Sequence, residues 1–593
     1  MKKIVTLAIS LFALSAACAS AQTFNPRVEV ENTYEGKVVE AGKNPLGMTV
    51  PDSLYKFQYQ LDYTVFDNPY QGSYKFQPYR IEMRPDAAPS RARRLYVNLG
   101  AGWTLHPELD LVWSPVFKRV PLKLSVYDNF RGYWGNYQMM YLGKKYVDGK
   151  GGHTSPGQVL DNKAGANLRY EFGQVALEVD AGYRLFRTAD TLTSHFLQMG
   201  ETEIRLLPLD PNRADYFYGG RIYVNAGQDR YWSLMSDRHK FGVNDMGADL
   251  RFGVPLGGRS RVLVDLGMET LVYSGALDAA ATRAWLTPRY SLRWNSGFAE
   301  LGAKVSYLKG SDKSVSKDAP LLLTPQVYQH KSDYIYPAVT IKQFLVPGRL
   351  AVYAKATGGD ELNGYAEALR SNPFMDPLMV VPNLDASSVR LDASAGFEGD
   401  IAGRLQFDLH GGYAIHHNAR CEAMEFTNLW FTEPEGGWKG SYLSGYYNYC
   451  DMNRWYGDAS FLWKSPRMDV DGHVLFQHTD LVENGYIAVA PAPWTGELRA
   501  TYNWNRQAFA GLSVGASSRR DILSVVLFAA DSQRYFRGEL AGWVDLGVHG
   551  SYVINPHWEV WAKAGNLLGQ YVQHYFLHPE KGPYGTIGIR FNL

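Results

Sequence analysis

The sequence predicts an all-β fold, a transmembrane antiparallel β-barrel of roughly 18–22 strands. Three features indicate this class: an exported leader, apolar–polar alternation in many segments, and a last strand that runs to the chain end. The last strand has apolar residues at every second position, namely Ile587, Ile589, Phe591 and Leu593. One face of such a strand suits lipid and the other suits water, so we expect it to close the barrel against the first strand.

Residues 1–21 are predicted to be a secretory signal peptide. Two lysines precede an apolar stretch over residues 4–17, and Ala19-Ser20-Ala21 forms an A-x-A cleavage site. Lipidation of Cys18 is a competing interpretation, but Leu14 lies one position too early for a lipoprotein motif. We therefore expect cleavage after the A-x-A site and localisation in the cell outer membrane.

The amino-acid composition and the net charge favour some functional classes and argue against others. Aromatic residues make up 14% of the 593 residues, and the formal net charge is +1. Abundant tyrosine and tryptophan fit girdles at the two membrane interfaces. A net charge near zero argues against nucleic acid as a partner. The expected partners are outer-membrane lipid and other outer-membrane or periplasmic proteins, and no cofactor is expected.

Residues 22–93 form a separate N-terminal segment, which is polar, rich in tyrosine and interrupted by prolines. Residues 55–65 alternate cleanly and could form an isolated strand or an early barrel strand. The prolines favour an extended, hydrogen-bonding segment over a folded domain. We expect this segment to occlude the barrel lumen or to dock a partner.

Sustained alternation begins at Leu95 and defines the predicted barrel over residues 94–593. The number of long strands exceeds what a soluble β-sandwich requires, and a propeller would show a fixed repeat period that the chain lacks. Charged residues at polar strand positions suit a water-filled lumen. The residues predicted to face the lumen are Glu178, Arg184, Arg404, Asp408, Glu559 and Lys563.

Short turns set the expected strand number. Nine of them imply about eighteen strands if each joins two strands. They lie near residues 105–107, 173, 256–259, 295–297, 347–348, 400–403, 465–467, 505–506 and 555–556. Additional strands are predicted around residues 55–65, 120–130, 215–227 and 440–450. Because external loops are the long ones in such barrels, we expect them near residues 188–214, 309–332, 357–388, 418–440 and 568–583.

Cys421 and Cys450 remain once the leader is removed. Two cysteines in an exported chain can pair. Both flank one aromatic-rich segment, so a disulfide that staples a loop is one interpretation and two free thiols is the other. The sequence leaves both open.

No residue pattern indicates catalysis, and we expect the protein not to be an enzyme. Ser513 lies in a G-x-S-x-G motif, but the motif falls inside an alternating strand and not in the strand–turn–helix setting of a nucleophile elbow. His416 and His417 are adjacent on a strand and point to opposite faces, which prevents them from converging on a metal ion.

A succession of motifs ends the chain: Asn566-Leu567, then Gly582-Pro583, then the strand Gly588-Ile589-Arg590-Phe591. This succession resembles the end of TonB-dependent receptors. Residues 95–102 are also similar to barrels of Bacteroidota that have a TonB-receptor-like barrel without the usual front end. The resemblance implies a transport barrel in the outer membrane.

The resemblance stops ahead of the barrel. A TonB-dependent receptor carries a folded plug domain there, and residues 22–93 are too few and too broken by proline to form one. The sequence therefore predicts a TonB-receptor-like barrel without a plug, a porin-like protein for solute passage or uptake across the outer membrane. The alternative is an accessory barrel subunit of a larger outer-membrane protein complex.

Overall fold

The computed structural model describes residues 94–117, 120–138, 141–142, 147–148, 154–209, 217–233, 236–315, 330, 332–375, 384–430, 439–483, 489–505, 507–529 and 532–593. The predicted leader, the N-terminal segment 22–93 and the alternating stretch 55–65 lie outside these residues. Among the described residues, no helix has the length and apolarity needed to cross a membrane.

Alternating apolar and polar side chains produce long strands throughout the described chain. In its first half these are β1 (Leu95–Trp103), β2 (Glu108–Trp113), β3 (Leu122–Gln138), β4 (Tyr141–Leu142), β5 (Val147–Asp148), β6 (Thr154–Phe172), β7 (Val175–Ala189), β8 (Thr193–Pro208), β9 (Phe217–Ser233), β10 (Ser236–Pro255), β11 (Ser260–Gly275), β12 (Leu277–Trp294), β13 (Gly297–Gly310) and β14 (Ser314–Val315).

The second half adds one described helix, α1 (Tyr365–Ser371), between two of its strands. The strands are β15 (Ile335–Val346), β16 (Leu350–Leu362), β17 (Ala386–Ile401), β18 (Leu405–Trp430), β19 (Lys439–Lys464), β20 (Met468–Glu483), β21 (Trp494–Asn503), β22 (Ala508–Ser517), β23 (Arg520–Ala529), β24 (Ser532–Leu540), β25 (Trp543–Asn555), β26 (Trp558–Gly565), β27 (Tyr571–Tyr575), β28 (His578–Lys581) and β29 (Tyr584–Asn592).

Twenty-two strands form a closed antiparallel barrel, which confirms the predicted fold class. The ring runs through β1–β3, β6–β13, β15–β22, β25, β26 and β29. It closes because β29 pairs with both β26 and β1, with Phe591 opposite Val97. The extra strands predicted around residues 120–130, 215–227 and 440–450 are β3, β9 and β19.

The outer face of the ring is apolar. On β10, Met246, Leu250, Phe252 and Val254 are at even-numbered positions, so they share one face, and they are 38–43% exposed. Phe241, at an odd-numbered position on the other face, is fully buried. A closed barrel satisfies all backbone hydrogen bonds between strands, and an apolar outer band can then face lipid. This architecture places the protein in the outer membrane.

Eight of the nine predicted turns lie at one end of the barrel, which we call the turn end. The chain terminus lies there too, because Leu95 N–H donates to Leu593 O over 3.2 Å. The turn at residues 105–107 is the exception. It joins β1 to β2 at the opposite end, which we call the loop end, so its expected grouping with the periplasmic turns was wrong.

In two predicted long loops, the described residues 193–208, 418–430 and 439–440 are strand instead. β7 extends to Ala189 and β8 begins at Thr193. Likewise, β18 extends to Trp430 and β19 begins at Lys439. These strand ends continue beyond the apolar band, where water replaces lipid and apolar alternation is no longer required. The long connections predicted near residues 309–332, 357–388 and 568–583 are present, since β13–β15, β16–β17 and β26–β29 are joined there.

Candidate functional site

The connection between β16 and β17 carries the candidate site. It contains α1, which begins after Gly364 and ends at Ser371; the backbone N–H of the next residue, Asn372, donates to Ala368 O. We call residues 363–375 the crossing segment. Farther along the same connection, the Leu384 carbonyl accepts a hydrogen bond from the Lys313 ammonium. Burial lowers the pKa of Lys313 to about 8.

The crossing segment runs through the interior of the barrel. The Tyr365 hydroxyl donates to Asp229 on β9 over 2.6 Å, and Thr188 on β7 donates to Pro373 O over 2.8 Å. Strands β10–β13 and β15 lie between those contacts and β16. A segment that leaves β16 and bonds to β7 and β9 must therefore cross the space that the ring encloses.

A buried histidine–carboxylate pair fixes the segment at two points. Asp229 is fully buried; its Oδ2 accepts from Tyr365 and lies 2.8 Å from His195 Nδ1, and its Oδ1 accepts from Phe196 N–H over 2.9 Å. His195 Nε2 lies 3.1 Å from Met375 O. His195 therefore links the carboxylate on β9 to the backbone of the crossing segment.

Aromatic packing supplies the apolar part of the anchor. Phe374 is almost completely buried, meets Tyr137 edge-on at 4.9 Å between ring centroids, and stacks on His578 at 4.2 Å. Tyr365 packs edge-on against Phe241 at 4.8 Å. One hydrophobic cluster, which joins the crossing segment to the wall, contains Phe374, Tyr137, Tyr365 and Phe241. Each aromatic pair contributes about 0.5–1.5 kcal/mol beyond its buried area.

The connection between β26 and β29 meets the crossing segment from another side. The Asn566 side chain donates to Gln570 O over 2.7 Å and to Gly582 O over 3.1 Å, which ties the two ends of this connection together. His578 Nε2 lies 2.8 Å from Asp190 Oδ2 at the turn between β7 and β8. Burial raises the pKa of the Glu580 carboxyl on β28. The asparagine of the C-terminal motif thus organises an inward-folded connection.

The predicted lumen residues take part in polar networks. Arg184 shares a face of β7 with Phe186, a member of the cluster around the crossing segment. Its guanidinium lies 3.1 Å from Asp161 and 2.9 Å from Glu201. Glu178 accepts from Asn167 over 3.0 Å.

The other four predicted lumen residues lie on or beside later strands. Asp408 accepts from the Tyr353 hydroxyl over 2.6 Å, Glu559 lies 2.8 Å from Arg590, and Lys563 pairs with Glu108; these contacts join neighbouring parts of the wall. Arg404 is exposed in the turn before β18. The orientation of all six residues toward a water-filled lumen stays a prediction.

Cys421 and Cys450 lie on β18 and β19, not in a loop. Both are buried as free thiols, and their Sγ atoms are 2.6 Å apart. Formation of the disulfide in the mature protein stays a prediction. Ser513 lies within β22 opposite Arg499 and Gly547, with no adjoining helix.

The crossing segment is what sequence reasoning missed. Its signal is a short helical pattern in an otherwise alternating chain: Tyr365, Ala366, Ala368 and Leu369 are buried, whereas Glu367 and Arg370 are half-buried. That spacing is helical and not the two-residue period of a strand. It indicates a helix with one buried face, which a solvated external loop lacks.

Comparison with solved structures shows which proteins have a similar fold. The chain is similar to the copper transporter OprC, with 12% identity, a TM-score of 0.60, and coverage of 85% of this chain and 82% of that one. The FrpB iron transporter of Neisseria meningitidis (F3-3 variant) gives 8% identity, a TM-score of 0.58, and coverage of 84% and 81%. The siderophore receptor PiuA of Acinetobacter baumannii gives 9%, 0.56, and coverage of 85% and 82%.

The chain is an outer-membrane β-barrel with the fold of TonB-dependent receptors. At these identities the likeness concerns the fold. No protein-family model and no curated protein matches the sequence. The three similar structures named above are a copper transporter, an iron transporter and a siderophore receptor.

Proposed function

We propose that this barrel passes or takes up a solute across the outer membrane, without a separate plug domain, and that the crossing segment gates its external end. The observation that carries the proposal is the anchoring of this segment inside the ring. Thr188 on β7 holds it on one side, and Tyr447 on β19, whose hydroxyl lies 2.5 Å from Ser371 Oγ, holds it on the other. The transporters that share the fold support a transport role.

Replacement of the crossing segment tests the gate. Leu362 and Ala386 are paired, so a two-residue Asn-Gly turn can replace residues 363–385 without moving β16 or β17. Single-channel conductance in planar bilayers should rise. The matched control replaces residues 518–542, since Ser517 and Trp543 are also paired. The control should change conductance far less, and equal effects would contradict a specific gate.

A separate deletion tests whether the N-terminal segment contributes to the occlusion. Deletion of residues 22–85 removes the segment predicted to occlude the lumen or to dock a partner. A folded barrel whose conductance rises only after this deletion would assign the occlusion to that segment. A rise only when both segments are removed would make them two barriers in series.

A second candidate function is an accessory barrel of a larger outer-membrane complex. Strands β18 and β19 favour it, because each has 26 residues and a membrane-spanning strand needs only about 9–11. The excess extends beyond the membrane at the loop end, where β18 pairs with β23 as well as with β19, and it suits a protein partner. A stable partner in pull-downs from native membranes, together with no conductance in any variant, would favour this function.

A further inference from the structure

Four cations lie near the loop end of one stretch of wall. They are Arg187 on β7, Arg230 on β9, and Arg238 and Lys240 on β10, and all four side chains are exposed. We call them the basic row. Within the described part of the chain, none of the four makes an ion pair or a side-chain hydrogen bond, whereas inner-face arginines such as Arg184 and Arg289 are paired with carboxylates.

The basic row points outward from the barrel. Arg187 lies between Phe186 and Thr188, which are each 1% exposed and face the interior. Arg230 follows Asp229, the buried carboxylate that binds the crossing segment. Because successive side chains of a strand alternate between faces, the two arginines lie on the outer face.

The row stands just above the apolar band. On β9, Ile222 and Val224 share the outer face with Arg230 and are 53% and 46% exposed. The six residues from Val224 to Arg230 span about 20 Å along the strand, or about 14–16 Å along the membrane normal at a tilt of 35–45°. An arginine side chain reaches several ångströms back toward the membrane, so the guanidinium reaches headgroup level.

Two members of the row repel each other. Lys240 stands directly opposite Arg230 in the β9–β10 ladder. Directly opposite residues have Cβ atoms about 4.5–5.5 Å apart, and like charges at that distance destabilise the pairing. A bound anion removes this penalty, and arginine binds phosphate oxygens through two parallel hydrogen bonds.

We propose that the basic row binds the phosphate groups of an outer-leaflet glycolipid, whose acyl chains lie along the apolar face below. Phosphate matches the charge and the hydrogen-bonding geometry of the row. A lipid is favoured over a soluble phosphate because the row shares the outer face of the wall with the lipid-facing residues Ile222, Val224 and Met246. The site is independent of the gate, since it lies on the opposite face of the wall.

The test titrates the full-length protein in detergent with a bis-phosphorylated, acylated glucosamine disaccharide and follows binding by native mass spectrometry. The double variant Arg230→Ala/Lys240→Ala should weaken binding about twenty-five-fold, at about five-fold per removed cation. Arg349→Ala/Arg404→Ala removes two exposed cations at the turn end and should bind like the wild type. The dephosphorylated lipid should bind weakly and equally to all three proteins.

Three outcomes would overturn the assignment. Equal affinity of the Arg230→Ala/Lys240→Ala variant and the wild type would show that the row is not the site. Tight binding of the dephosphorylated lipid would show that phosphate is not the recognised group. Binding of inorganic phosphate with no binding of the lipid would assign the row to a soluble anion. Heat-modifiable migration on gels confirms in each case that the variant barrel is folded.

Discussion

At the turn end of the barrel, neighbouring strands are joined by short turns with locally determined geometry. Gly348 and Gly403 have φ angles of 68° and 65°, a region that favours glycine. At the loop end, residues 363–375 and 566–583 fold inward and pack on each other through Phe374 and His578. The two ends differ because the first follows from short-range backbone preferences and the second from contacts between residues far apart in sequence.

The largest effect should come from removing the aromatic anchor of the crossing segment. Phe374→Ala deletes a ring that is 3% exposed and should weaken docking by about 3–5 kcal/mol. Hydrogen exchange within residues 363–371 should accelerate while exchange in the barrel strands stays slow. Phe397→Ala, at a half-exposed position on the outer face, is the control and should leave this exchange unchanged.

The wall should respond to charge on one face only. Leu409→Arg places a cation on the outer face of β18, where the leucine is 48% exposed, and should cost about 2–4 kcal/mol near the membrane midplane. Phe407→Arg should cost less, because Phe407 is only the third residue of β18 and lies nearer the turn end. Asp408→Asn should leave assembly intact. Folding into lipid vesicles in urea measures all three, and a severe defect in Asp408→Asn alone would reverse the assigned faces.

The polar anchor should have a smaller effect than the aromatic one. Tyr365→Phe removes one hydrogen bond to a buried carboxylate, worth about 1.5–3 kcal/mol. The frequency of channel opening should rise about ten- to one-hundred-fold. Tyr353→Phe removes a comparable bond to Asp408 away from the crossing segment and serves as the control. Equal opening in both variants would argue against the Asp229 anchor.

The smallest effect on stability should come from a substitution in a turn. Gly348→Ala forces a left-handed conformation on alanine and should cost about 1–2 kcal/mol, although the added methyl group meets no atom. Gly258, in the turn between β10 and β11, has equally open surroundings and no positive φ in the left-handed range, so Gly258→Ala should be neutral. Urea unfolding of the two variants measures the difference.

The turn end was largely predictable from sequence. Each turn there interrupts an alternating pattern, and the signal lies within a few residues, as at Gly173, whose φ is 57°. The turn at residues 105–107 was assigned to the wrong end because its shortness alone does not reveal which end it occupies. Chain direction decides that point, and the direction is fixed by the closure of β29 on β1.

The loop end was predictable only in outline. Residues 357–388 were expected to form a long connection, and they do, but nothing local in Tyr365 indicates Asp229 as its partner. Within the expected loops at residues 188–214 and 418–440, residues 193–208, 418–430 and 439–440 are strand, because polarity above the membrane resembles that of a loop. The sequence also did not indicate that Arg230 and Lys240 are opposite each other, since their register depends on the pairing of β9 with β10.

By itself, the sequence determined the barrel class, the two-faced strands and the turns between them, because a two-residue period and a lipid environment allow no other closed arrangement. The tertiary structure decided where the connections at the loop end go and which side chains meet there. Those contacts join residues as distant as Asn372 and Phe576, and no local preference encodes them. They arise from the inward packing of aromatic and hydrogen-bonding groups, which only the closed ring brings within reach.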